Sequence, residues 1–142
     1  LLERYELEDP IKNGETGKFN SKEMQKLYNQ LVSQGNKSEV EALKVGATIE
    51  DLDIYDLEKA LAGDVDNQDI KRVYANLTKG SRNHMRAFLA QLKTRGESYA
   101  AQYISQADLD AIASSEWERG PAEGRSGKGG RKGMGRGQKR AR

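Results

Sequence analysis

Apolar residues recur along most of this chain at intervals of three and four, the repeat of a helix that buries one side. In SKEMQKLYNQLVSQG they fall at Met24, Leu27, Tyr28, Leu31 and Val32, with Asn20 or Ser21 placed to cap the start and Gly35 to end the run. Ser38 and Glu41 then form an S-x-x-E capping box, whose hydroxyl and carboxylate each satisfy a free backbone N–H. The helix it opens is predicted to reach about Leu61, stopped by Gly63. Asp66-Asn67 starts the next, from Gln68 to about Thr94, closed by the cation of Arg95 and by Gly96. Two long helices joined by a short loop must pack antiparallel. After GESYAAQY, Ser105 and Asp108 predict a short helix reaching roughly Glu118. LLERYE reads as the last turns of another helix, which Pro10 and Asn13-Gly14 prevent from continuing. No alternating segment is long enough for a strand, so the predicted class is all-α.

The polar residues that fall on the apolar stripes are the candidates for chemistry. One long helix carries Leu43, Ala47, Glu50, Ile54, Leu57 and Leu61 on a single stripe, which puts Glu50 among apolar neighbours. The other carries Ile70, Tyr74, Leu77, Ser81, His84 and Phe88, which puts the chain's single His on the predicted buried face. A carboxylate alone in an apolar interior costs several kcal/mol, roughly, or takes up a proton, so Glu50 needs a donor or a cation. His84 is the candidate partner, directly as a hydrogen-bonded structural pair or through a metal ion. Asp53, one turn after Glu50, is a further ligand or supporting residue, or a solvated acid on the helix flank. Tyr74 and Ser81 read as core or as supporting residues of the same site. Gly46 and Gly80 read as points of close helix approach, Gly80 lowering helix propensity by about 1 kcal/mol relative to Ala.

Composition narrows these readings. With no Cys and one His, a Cys/His zinc site and the catalytic dyads built on those residues have almost nothing to draw on. No apolar run approaches a transmembrane length. The net charge of +2 conceals an asymmetry: residues 120–142 hold eight Lys or Arg and one acid, leaving 16 basic and 21 acidic side chains before them. An acidic body of net −5 is thus followed by a tail of net +7. Eight of those 23 residues are Gly, and such a segment buries too little apolar area to offset its ordering entropy, so it is expected to be disordered. Its cations, Arg125, Lys128, Arg131, Lys132, Arg136, Lys139, Arg140 and Arg142, suit phosphates or another anionic surface without reading sequence, and no aromatic interrupts them. A solubilising tail with no dedicated partner is the alternative. GRSGKGG lacks the spacing, the Ser or Thr and the following helix of a phosphate-binding loop. Asp64, Asp66 and Asp69 fail as a calcium loop, because Asp69 stands where its Gly belongs and Ala75 where its Glu belongs.

The segments EALKVGATIEDLDIYDL (41–57) and VYANLTKGSRNHMRAF (73–88), with DP, GKF, LYNQLVSQG and AQYISQADLDAIASSEWERG, resemble the ferritin-like family catalogued as domain of unknown function 2202. The resemblance runs from residue 1 to about residue 120, and GSRNH is its most specific string. It implies an up-down four-helix bundle with one long crossover, of which residues 10–37 are the crossover and its short helix. The chain begins with Leu1 rather than Met, so the resemblance implies an N-terminally truncated copy. Residues 1–119 are then the second half of the bundle and 120–142 the tail. Ferritin-like di-iron sites take a Glu from each of two helices and a Glu-x-x-His pair from each of the others. By that pattern Glu50 and His84 are ligands for iron or manganese, metals suited to carboxylate and imidazole donors, while Ser81 stands where the second carboxylate would be. The faces left bare favour a homodimer. The rival expectation is a non-catalytic helical interaction module in which Glu50 and His84 pair structurally and the tail docks on nucleic acid or an anionic surface.

Overall fold

A computed structural model describes residues 1–11, 14–63 and 65–120. Asp64 and the basic residues from Arg125 to Arg142, with the expectations placed on them, lie outside the described residues. Those described are helical, with no strand among them: a 3-10 turn at Glu3–Tyr5, then α1 (Lys22–Gly35), α2 (Glu39–Ala62), α3 (Gln68–Thr94) and α4 (Gln106–Ser114). The LLERYE helix end is that single 3-10 turn, which stops where Glu6 takes a left-handed conformation (φ 53°). Tyr5 donates its hydroxyl to Asp69 Oδ1 (2.7 Å) and Arg4 pairs with Oδ2 (3.0 Å), docking this turn on the first turn of α3.

Ser21, Ser38 and Ser105 cap α1, α2 and α4, each hydroxyl accepting the N–H three residues on, at 3.1 Å in all three. At Ser38 only the hydroxyl half of the expected box forms, because the Glu41 carboxylate turns to Gln34 Nε2 (3.0 Å) at the end of α1. This contact ties α1 to α2. Asn67 occupies the cap position of α3 without a side-chain bond, and Arg95 and Gly96 (φ 73°) end that helix. A glycine in the left-handed region is what allows the chain to leave the last turn there.

Helices α2 and α3 form the main interface, antiparallel as expected. Glu39 pairs with Arg95, Glu50 with His84, and Glu58 with Arg82, so the contacts advance along one helix as they retreat along the other. Ala47 and Ile54 of α2, Met85 of α3, and Leu109 and Ile112 of α4 make the buried cluster, with Phe88, Leu89, Tyr99, Ala101 and Ile104 packed against it. Gly46 is a point of close approach, facing the Phe88 ring, whereas a Cβ added at Gly80 would meet no atom within 4 Å. The packing role expected of Gly80 is therefore not met by any contact among the described residues.

Two expectations are corrected. Helix α4 ends at Ser114 instead of near Glu118, because the chain then runs extended along α3, held there by Arg82, Asn83 and Arg86. The buried arc of α3 is also rotated from the predicted stripe: Thr78, Ser81, Met85 and Leu92 are buried, while Leu77 is 52% exposed and the His84 side chain 64% exposed. The cause is α4, which covers the Met85 side of the pair and leaves the Leu77 and His84 side bare.

Candidate functional site

The two residues singled out on the stripes do meet. His84 Nδ1 lies 3.2 Å from Glu50 Oε1 across the α2–α3 interface. An ionised carboxylate only accepts, so the imidazole N–H donates to it. Glu50 keeps 13% of its side chain exposed, and the imidazole above it is open on its outer side. The backbones are brought together here by Gly46, one turn before Glu50, opposite Phe88, one turn after His84. Asp53 stands at the rim, exposed overall. Partial burial of its carboxyl, and then the like charge of Asp56, push its pKa above the ordinary aspartate value. Ser81 is buried at the helix interface, and Tyr74 is half-buried, its carbonyl accepting from the Thr78 hydroxyl (2.9 Å). Among the described residues no group of three or more His, Cys, Asp or Glu converges. Among the described residues the pair is a two-donor set, one oxygen and one nitrogen, on a helix that also exposes Val73 and Leu77, three and two turns before His84.

Sequence reasoning passed over Asp51. It is fully buried, and its carboxylate gathers the loop before α4: Oδ2 accepts from the Tyr99 hydroxyl (2.7 Å) and the N–H groups of Gln102 (2.7 Å) and Tyr103 (3.2 Å), Oδ1 from Ile104 N–H (2.9 Å). Burial first, and the adjoining carboxylate as well, hold the Tyr99 phenol well above its ordinary pKa. The signal was available, since Ala47, Asp51 and Ile54 recur at spacings of four and three on the most buried arc of α2. Its position marks it as an anchor: both carboxylate oxygens accept from the chain's own loop.

A second anchor fastens the segment after α4. Glu118 Oε1 and Oε2 accept from Arg82 Nε (2.8 Å) and Nη2 (2.6 Å), and Oε1 also accepts from Arg86 Nη2 (2.9 Å). Asn83 grips the Glu118 backbone reciprocally, donating to its carbonyl and accepting from its N–H, each at 3.0 Å. The hydrogen bonds from Arg82, then those from Arg86, lower the Glu118 pKa from 4.5 to about 2. A carboxylate depressed in the fold contributes stability fully above its unfolded pKa and loses it as pH falls through the folded one. The segment should therefore stay clamped at pH 5 and loosen between pH 4.5 and about 2, a window bounded by those two values. Trp117, the chain's single Trp, reports this directly. Its emission should change in that acid window in the native chain, and the change should be absent in Glu118→Gln. An identical acid transition in both proteins would remove Glu118 as its cause.

This geometry defines a class: an antiparallel pair of long helices with a carboxylate and an imidazole at its centre and a short helix covering one side. No helix among the described residues is long and apolar enough to cross a membrane. A family model described as "Uncharacterized protein domain (DUF2202)" matches residues 1–116, and the chain belongs to that family. The chain is similar to the uncharacterized protein MJ0754 of Methanocaldococcus jannaschii, 57% identical over 120 residues, 84% of this chain and 64% of that protein. It therefore spans somewhat less than two thirds of the curated relative's length. A crystal structure of the hypothetical protein MJ0754 from Methanococcus jannaschii superposes with a TM-score of 0.79 at 56% identity, covering 82% of this chain and 66% of that one.

Proposed function

We propose that the α2–α3 pair is one half of a ferritin-like four-helix bundle, and that Glu50 and His84 are the donors this half offers to iron or manganese. The observation that carries the reading is the 3.2 Å contact between His84 Nδ1 and Glu50 Oε1 on facing helices. A carboxylate oxygen and an imidazole nitrogen at this separation are donor types that these metals accept. The open side of α3 supports the bundle: Val73, Leu77, Gly80 and His84 follow one another at helix-face spacing, with no atom of another described segment within 4 Å of a Cβ built at Gly80 and the other three exposed. A helix packed there would meet an apolar strip with a notch at Gly80. The relative has about a third of its length beyond the part this chain matches, enough for such helices. The metal, when bound, supplies the redox chemistry. In this half Glu50 holds the imidazole in place from a mostly buried position, Asp53 adds negative charge at the rim, and buried Ser81 takes no ligand role.

The single His makes the test direct. Manganese(II) titrated into the chain should broaden the His84 imidazole proton resonances at substoichiometric metal, and Glu50→Gln should abolish that broadening while leaving the fold intact by circular dichroism. Broadening that persists unchanged in Glu50→Gln, or none in the native chain, would leave Glu50 and His84 a structural hydrogen-bonded pair.

A further inference from the structure

We infer that two copies of this chain pair through one strip of α3, each copy supplying the helix that covers the other's open side. The strip is Val73, Leu77, Gly80, His84, Ala87 and Gln91, at spacings of four and three. Its side chains are exposed, and a Cβ built at Gly80 meets no atom within 4 Å. In a chain of which 32% is charged, the strip holds no Lys, Arg, Asp or Glu across about 27 Å of helix. A twofold contact sets like charge near like charge, and residues 1–119 are already net acidic, so a face that meets its own copy has to exclude charged side chains.

Size selects the partner. In a twofold contact residue i meets j and j meets i. The turn docked on Asp69 by Tyr5 and Arg4 closes the strip just before Val73, so an inverted copy overlaps it fully when the axis passes beside residue 82. Leu77 then meets the second copy's Ala87, and His84 meets its Gly80. Val73 meets the methylene stem of its Gln91, whose amide oxygen is turned to Arg95 (2.9 Å). Each bulky side chain faces a small or yielding one, and Gly80, which has no packing contact within the described residues, becomes the notch that admits an imidazole. The pairing gathers four long helices, two from each copy. It also sets the two His84 residues only four positions apart along the axis, about 6 Å, so both Glu50–His84 pairs stand at nearly one level. The inference deepens the bundle reading above, and rests on it only for the helix that the open strip requires.

Sedimentation of the full chain with a metal chelator present keeps this pairing apart from the metal reading. The chain should pass from monomer to dimer with a Kd of about 10 to 100 μM, the strength expected of a contact one helix wide. Leu77→Lys should weaken the dimer roughly tenfold or more. Gly80→Met fills the notch without meeting any atom of its own copy, so it should leave the fold intact by circular dichroism and weaken the dimer roughly tenfold. An unspecific apolar contact would instead be strengthened by the added side chain. The chain has no Cys, so introduced thiols report the register. A mixture of Leu77→Cys and Ala87→Cys should give a disulfide-linked dimer with diamide, and each variant alone should not, its two thiols lying ten positions apart along the axis, about 15 Å. A monomer up to about 0.5 mM would overturn the inference and leave the strip to another helix, while the manganese titration still decides the metal reading. Dimers undiminished by Gly80→Met, or Leu77→Cys linking to itself as readily as to Ala87→Cys, would overturn this pairing.

Discussion

Asp51→Ala should destabilise the chain by about 3 to 4 kcal/mol, the largest effect expected of any single substitution here. The carboxylate is fully buried and is the common acceptor for three backbone N–H groups and the Tyr99 hydroxyl. Removing it leaves those donors inside the fold with no replacement, at about 1 to 3 kcal/mol each, and less in sum because the loop relaxes toward water. The loop is the only covalent path from α3 to α4, so its release also loosens Leu109 and Ile112 from the core. Asp51→Asn keeps one acceptor oxygen and introduces two donors, and should lose about half as much. Urea denaturation measures both values, and amide exchange at Gln102, Tyr103 and Ile104 should accelerate ahead of exchange in α2. A loss below about 1 kcal/mol in Asp51→Ala would mean that the loop is held by Tyr99 and Ile104 packing instead.

Gly46→Ala should destabilise by about 1 to 2 kcal/mol, against the gain of about 1 kcal/mol that Ala normally brings to a helix interior. A Cβ at this position would stand 2.4 Å from Phe88 Cε1 and Cζ and 2.9 Å from Cδ1. Either the ring swings away from the core cluster it packs against, or the two helices separate at the level of Glu50 and His84. A double-mutant cycle with Phe88→Ala isolates the cause. In that background the space is free, and Gly46→Ala should turn neutral or stabilising. Equal losses in both backgrounds would place the cost somewhere other than the Phe88 contact. The substitution also bears on the site, because separated backbones should lengthen the His84–Glu50 contact and shift the imidazole resonances.

Helix boundaries were largely legible from the chain, because the groups that set them are neighbours in sequence. Ser21, Ser38 and Ser105 cap through bonds three residues long, and Gln68 and Thr94 bound α3 as the pattern predicts. The Glu50–His84 pairing was legible too, since both stripes and the short connection force an antiparallel register. The end of α4 was not: Ser115 to Glu118 carries no helix breaker, and what straightens it is a clamp from Arg82 and Arg86, more than thirty residues away.

The buried arc of α3 shows the division most clearly. Periodicity identified α3 as amphipathic and placed Ser81 and Phe88 toward the partner helix, which follows from the 3.6-residue turn alone. It also counted Leu77 and His84 as interior, and they are exposed. A helix with apolar residues spread over a wide arc has more than one direction in which it can bury them, and the sequence ranks those directions almost equally. The choice came from α4 and the loop that Asp51 gathers, which settle over Met85 and leave the Leu77 and His84 side exposed. Caps, turns and periods act over a few residues and are written locally, whereas burial depends on which distant segment arrives to exclude water.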